Sequence, residues 1–250
     1  VNYDLPINKI PILSFVKSTY TYTGDYNWQR ASDAFSTITG EDGNIYALGN
    51  TIQNANSHKL NTTLNMDMFY KYIGLTKTKN NKKKPVANKD KSVAPKPGQQ
   101  ITAPKNNVTS ERSIFASGLI GVITSVKNIQ INYSENNGTV LPGYLPGLGF
   151  FGSSKPTLGF VFGSQSDVRY EAARNGWLTS FPEFNQNFTQ VENKKLNLTA
   201  KLEVFPDLTI DLTADRTYAY NFSEQFDVSG GQYNSSAPYD CGNCNISTIL

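Results

Sequence analysis

The chain has 250 residues, a formal net charge of +3, 12% aromatic residues and only 17% charged ones. It has no apolar run of about 18 residues, which excludes a transmembrane helix, and its single histidine leaves no convincing Ser-His or metal constellation. Residues 76–110 hold nine lysines against Asp90, so the remainder sums to −5 and is not a basic nucleic-acid-binding body.

The sequence begins at Val1 without a charged-then-apolar leader, and it reads as a piece of a longer chain with arbitrary ends. The first periodic stretch is "KIPILSFVKSTYTYTGDYNW" (9–28). Ile10, Ile12, Val16, Tyr20, Tyr22, Tyr26 and Trp28 share one parity; Lys17, Thr19, Thr21, Thr23, Asp25 and Asn27 share the other. Period two predicts a strand. Residues 29–50 are polar and Gly-containing, a loop. In "KLNTTLNMDMF" (59–69), Leu60, Thr62, Leu64, Met66 and Met68 oppose Lys59, Asn61, Thr63, Asn65 and Asp67, a second strand.

Residues 76–112 follow, rich in Lys and Pro. They lack the apolar surface to offset their ordering entropy and are expected to be a disordered, solvated linker. "SIFASGLIGVITS" (113–125) fits either a short amphipathic helix or a strand start, and "NIQINYS" (128–134) resumes alternation. Residues 135–193 are Gly-, Asn- and aromatic-rich, a long loop region in which "TLGFVFGS" has the look of a short strand. In "KLNLTAKLEVFPDLTIDLTADRTYAYNF" (195–222), two stripes flank a Phe205-Pro206-Asp207 turn: Leu196, Leu198, Ala200, Leu202 and Val204, then Leu208, Ile210, Leu212 and Ala214. Residues 224–250 read as a loop at the cut end. They carry Cys241 and Cys244 as "CGNC", which fits a redox pair, half a zinc site or, more plainly, a small loop disulfide.

Strand length says what the stripes face. Soluble strands run about 5–6 residues, whereas a tilted membrane strand needs about 9–11, the span of the alternation here. The expected class is therefore all-β, an antiparallel transmembrane barrel. Its lipid face carries Leu60, Leu64, Leu196, Leu198, Leu202, Leu208, Ile210 and Leu212. Asn197, Thr199, Lys201, Asp211, Thr213 and Asp215 face a wet lumen. Tyr20, Tyr22, Trp28, Tyr218 and Tyr220 form the aromatic girdle where lipid meets water. Arg216 shares the lipid parity, at a cost of about 2–4 kcal/mol at the midplane but roughly 0–1 near the interface, which fits its place beside the girdle. Short turns belong inside and long loops outside. Spans then run outward at 12–28, inward at 57–69, outward at 127–134, inward at 194–204 and outward at 208–222. The organisation is 1–75 strands with an outer loop, 76–112 periplasmic linker, 113–134 helix or strand start plus a strand, 135–193 extracellular loop, 194–223 hairpin and 224–250 extracellular loop. Five spans fall short of the ~8 of the smallest usual barrel, so they belong to a larger one.

The segments "YTYTGDYNWQRA", "LGNTIQNANSHKLN", "NIQINYSENNGTVLPGYLP", "GFVFGSQ", "ARNGWLT" and "LEVFPDLTIDLTADRTYAYNFSE" resemble the Sov/SprA family, outer-membrane translocons of the type IX secretion system in Bacteroidetes. The resemblance covers most of the chain outside the lysine linker and the "CGNC" end. It implies a segment of a very large single-chain barrel that exports folded cargo with C-terminal sorting domains, gliding adhesins among them. It also implies as partners the rest of the barrel chain, a PorV-like small barrel at a lateral opening and a periplasmic plug protein. Outer-membrane lipid completes the expected partners; no nucleic acid, cofactor, metal or catalytic residue is expected.

The alternative is a secreted β-sandwich adhesin or binding module. The Asn-X-Ser/Thr triplets at Asn61, Asn107, Asn132, Asn187 and Asn197 speak for it weakly, since such triplets arise by chance in a chain this rich in Asn, Ser and Thr. An enzyme is the weakest reading. Asp211 and Asp215 share a strand face but lie about 13 Å apart by the strand rise, outside the range of about 5–9.5 Å of glycosidase carboxylate pairs.

Overall fold

The alternating stretches pair into one antiparallel sheet. The structure is a computed structural model and describes residues 1–33, 36–75, 121, 123–148, 155–205 and 207–249. The linker expected at 76–112, most of 113–125 and Pro206 lie outside them. Among the described residues nine strands form, in chain order: β1 (Asn2–Leu5), β2 (Val16–Gln29), β3 (Thr37–Thr39), β4 (Ile45–Ala47), β5 (Asn50–Asn65), β6 (Val126–Tyr144), β7 (Phe188–Phe205), β8 (Leu208–Ser229) and β9 (Gln232–Ile249). The main sheet has the order β1-β2-β5-β6-β7-β8-β9, so each long strand pairs with the next long strand of the chain. β3 and β4 make a separate small hairpin inside the β2–β5 connection. The sheet is open, with β1 and β9 at its edges.

The six long strands run from 14 residues in β2 to 22 in β8. They are longer than the sequence pattern indicates, and several boundaries move. β2 begins at Val16 rather than at residue 12. Pro6 and Pro11 each open a 3₁₀ turn instead, at Pro6–Lys9 and Pro11–Leu13, where a missing N–H costs nothing. β5 starts at Asn50, inside the expected loop. It stops at Asn65, whose side chain accepts from the Met68 backbone N–H at 3.2 Å and caps helix α1 (Met66–Tyr72). Met66 and Met68 therefore leave the stripe.

The long loop expected at 135–193 narrows to 145–187, because β6 continues to Tyr144 and β7 starts at Phe188. "TLGFVFGS" is helical rather than extended: Thr157 caps α2 (Leu158–Val161) by accepting from the Phe160 N–H. A third helix, α3, spans Arg169–Arg174.

The largest correction concerns 224–250, which is not a loop. β8 runs on to Ser229, Gly230 and Gly231 turn the chain at φ 57° and 74°, and β9 returns as a sixth long strand. Two successive positive φ angles are what a two-residue hairpin of matching twist demands, and glycine supplies them without a Cβ clash. The cysteines sit within β9. Cys241 pairs with Asn221 and Cys244 with Tyr218, on opposite faces of the sheet. Three residues apart on a strand they lie about 10 Å apart, beyond the roughly 7 Å limit for a disulfide. Both are free and exposed. Maleimide labelling of unreduced protein is expected to add two adducts; a single adduct or none would mean that they are bonded.

Candidate functional site

Cross-strand register divides the sheet into two faces of different chemistry. On one face, Asn197 pairs with Asp215, Thr199 with Thr213 and Lys201 with Asp211, so the six residues expected to line a lumen form three adjacent pairs. They extend into a ladder across the sheet: Asn61, Asn132, Asn197 and Asp215 are successive partners. Asn132 donates to Asn197 Oδ1 at 3.3 Å and Asn197 donates to Asp215 Oδ1 at 2.8 Å. Lys17, Lys59 and Lys195 share this face by register.

The opposite face is banded along the strand axis. At the α1 end it is apolar. The rows Val16–Leu64–Ile129–Ala200–Leu212, Ile131–Leu198–Ala214 and Leu202–Ile210 follow one another, with Leu208 at the turn. Six of the eight residues expected to face lipid lie here; Leu60 and Leu196 lie on the same face in the next row, between Tyr20, Tyr133 and Arg216. The polar pair within the band, Ser18 and Thr62, shares one hydrogen bond at 2.8 Å, so neither hydroxyl is left unpaired. Among the described residues no second sheet covers this band, and Leu198, Leu208 and Ile246 are exposed.

Next comes an aromatic and charged row. It is three rungs deep: Tyr20, Tyr133 and Arg216 stand on the first, Tyr22, His58, Glu135, Lys194 and Tyr218 on the second, and Tyr220 on the third. The Tyr20 hydroxyl lies 2.6 Å from His58 Nδ1, and Tyr133 donates to Glu135 at 2.7 Å. The sequence pattern missed Tyr133 as a row member, because β7 brings it beside Leu196 across 63 residues of chain. From Tyr218 to Leu208 the band spans about 33 Å along β8 at ~3.3 Å per residue. A strand tilt of roughly 35–45° shortens that to about 25 Å, the height of an outer-membrane apolar band.

Trp28 is not in this row. It lies eight residues beyond Tyr20 on β2, about 26 Å along the strand, and donates from Nε1 to the Pro146 carbonyl at 3.3 Å. There the face is roofed by residues 155–187. The core sits under this roof: Ile52, Leu141, Tyr144, Phe160, Val168, Leu178, Phe188 and Phe226 are buried together, with Trp28 and Trp177 packed against them. Burying each such side chain contributes about 1.5–3 kcal/mol. The roof is also tied by polar contacts. Asn54 donates to the Phe160 and Ser164 carbonyls, Asn56 to Gly163, and Tyr22 to Phe162. At Gly24 a Cβ would collide with the Phe162 carbonyl oxygen, so glycine lets the roof sit directly on β2. Where the roof meets the aromatic row, Leu158 and Phe162 of the α2 turn are 62% and 68% exposed.

A buried ion pair clasps the roof to β8. Arg169 on α3 pairs with Glu224, which is 2% exposed and also accepts from Tyr233 at 2.6 Å and from Ser235. The guanidinium lies 4.5 Å from the Phe188 ring centroid, a cation–π contact. Burial alone would lower the Arg169 pKa, but the Asp167 and Glu224 carboxylates outweigh it and raise it. Burial, then the bond to Glu224, pushes the Tyr233 phenol up. At Asp167 burial opposes ionisation, yet the hydrogen bonds and charge of Arg169 hold its carboxyl below the ordinary range. A depressed carboxylate pKa stabilises the docked roof above the unfolded value, near 4, and that stability is lost as pH falls through the folded value. Tryptophan fluorescence is therefore expected to be constant from neutral pH down to about pH 4 and to report roof loosening below it; a transition above that range would remove Asp167 from the account.

No protein-family model matches the chain, and no curated protein matches it significantly.

Proposed function

We propose that this sheet is a segment of the wall of a very large outer-membrane β-barrel of the Sov/SprA type, which conducts folded proteins with C-terminal sorting domains out of the cell. The observation that carries the reading is the pairing of an uncovered apolar band, edged by tyrosines, with a ladder of Asn, Thr, Lys and Asp on the opposite face. A band about 25 Å tall suits lipid. The Asn, Thr, Lys and Asp ladder suits water, and a conduit for folded cargo needs a lining without sticky apolar patches. The exposed Leu158 and Phe162 of the roof fit the same picture, since they stand at the level where the tyrosine row meets the interface. A secreted β-sandwich would need a second sheet over the band, and none of the described residues supplies one.

In this orientation the roof and the β8–β9 hairpin tip lie outside the cell, and the β7–β8 turn and α1 lie in the periplasm. The rest of the barrel chain continues the sheet beyond β9. A PorV-like small barrel, a periplasmic plug and the cargo are the partners that the resemblance implies. The wall performs no chemistry; it excludes lipid and keeps the path wet. The test is depletion of the parent protein in its native cells, followed by proteomics of medium, surface and periplasm. Proteins with C-terminal sorting domains are expected to accumulate in the periplasm while the outer membrane stays intact. Unchanged secretion overturns the translocon reading.

A further inference from the structure

On the banded face, where the apolar rows meet the tyrosine row, lies a cleft of about 320 Å³ lined by Tyr133, Lys194, Leu196, Arg216 and Tyr218. Its two cations differ. Lys194 is engaged: its Nζ lies 2.5 Å from Glu192 and 5.8 Å from the Tyr218 ring centroid. Arg216 is exposed and has no hydrogen-bond or ion-pair partner among the described residues. Its cross-strand neighbours are Leu196 on β7 and Ile246 on β9. A free guanidinium set between two apolar residues serves no purpose within the sheet itself.

Directly below it the band is hollowed. Leu198 pairs with Ala214 and Ala200 with Leu212, so the two alanines stand diagonally among larger side chains. With Ile129 and Thr248 they line an apolar trough of about 370 Å³. The Leu196–Arg216 row at the cleft and the Leu198–Ala214 row at the trough are adjacent rows of one face, so the two depressions adjoin. A cation above an apolar trough matches one kind of molecule: a lipid with an anionic head and a chain running down the strands. The guanidinium fork suits phosphate oxygens, which it binds bidentately. The tyrosine hydroxyls flank the head, at the depth where such rings sit.

We infer that this cleft and trough form a specific site for one phosphate-bearing lipid of the outer leaflet. Arg216 and Lys194 hold the phosphate, and an acyl chain lies over Ala200 and Ala214. The inference rests on the membrane orientation proposed above. Its role is to fix the height of the wall against the leaflet at β7 and β8, where the roof's contacts with the row on β2 and β5 are not repeated.

The test uses the full chain in zwitterionic detergent, with bound lipid counted by native mass spectrometry. The probes are diphosphoryl lipid A and the same lipid stripped of its phosphates. The native chain is expected to prefer the phosphorylated form by about tenfold or more, the scale of a charge-assisted contact. The double variant K194Q/R216Q is expected to lose the preference, while K195Q on the polar face keeps it. Heat-modifiable migration on gels checks that each variant is folded, and R216K, which keeps charge but not the fork, serves if the double variant is not. It is expected to retain only part of the preference. No preference in the native chain, or a preference that survives K194Q/R216Q or is unchanged in R216K, overturns the site. Displacement by excess inorganic phosphate would assign the cleft to a soluble anion and overturn the lipid assignment. Carbonate extraction of membranes separates the two readings: a chain that washes out refutes the membrane orientation and the site together, whereas a retained chain without preference refutes the site alone.

Discussion

Arg169→Ala is expected to release the roof over residues 155–187 from the sheet at a cost of about 3–5 kcal/mol, the penalty for leaving one member of a buried ion pair behind. Glu224 would remain 2% exposed and charged, holding only Tyr233 and Ser235. The guanidinium also sits among the Phe188, Phe222, Tyr170 and Tyr233 rings, so its removal opens space in the aromatic packing as well. Hydrogen exchange is the direct measurement. Amides of α3 and of the β8–β9 tip should lose protection together, while β7 and β8 between Leu196 and Leu212 keep theirs. If the whole sheet loses protection, the roof and the wall are a single cooperative unit and the division into zones is wrong. Glu224→Gln is the milder control. It keeps the shape and the acceptor oxygen, so a loss as large as that of Arg169→Ala would show that the charge holds the clasp, and a smaller loss that the packing does.

Leu212→Lys and Thr213→Lys are expected to differ by about 2–4 kcal/mol in the stability of the inserted state, although the residues are neighbours. Leu212 lies in the middle of the apolar band, opposite Ala200; Thr213 lies on the polar face, opposite Thr199. One step along a strand reverses the face. Urea titration of the membrane-inserted chain should show L212K unfolding at lower denaturant and T213K behaving as the native chain does. Equal sensitivity at both positions, or greater sensitivity at Thr213, would refute the assignment of lipid to the banded face.

The parts of this architecture that were legible in the sequence are those where one face is apolar and the other polar. Residues 195–222 alternate on both sides of the turn at 205–207, with Arg216 the one charge in the apolar stripe, and their pairing follows from that turn. By register the six polar residues share one side of the sheet and the eight apolar ones share the other. The signal fails where the strands pass under the roof. There Asn54, Asn56 and Thr139 are buried because each bonds the roof, so polarity no longer marks the solvent side. Pro142 and Pro238 also argue against strands, since proline cannot donate to a ladder. Both are accommodated where the register shifts, between the Asn50 and Ile52 pairs and between the Ser223 and Gln225 pairs. β9 has almost no apolar pattern of its own. Its one local signal is the Gly230-Gly231 dipeptide, and β8 supplies the rest as a template. The clasp joins residues 55 apart in sequence, and nothing in either local stretch points to the other. The cysteine spacing misleads for a simple reason: three residues bring side chains together on a helix or in a loop, but set them on opposite faces of a strand.

The sequential strand order has a consequence for assembly. Every long strand finds its partner in the next long strand of the chain, so contacts along the sheet are nearly as local as a β structure allows, and loop-closure entropy is met one hairpin at a time. Growth can proceed from a single advancing edge, each finished strand offering its open backbone groups to the next. The edge must wait twice, first for the 60 residues that separate β5 from β6 and later for the 43 that separate β6 from β7. The second pause falls where the roof is made, and it gives the α2–α3 segment time to settle on β2 and β5 before β7 arrives. A chain with the roof replaced by a short turn should therefore build its sheet faster, while leaving the outer half of β5 and β6 uncovered.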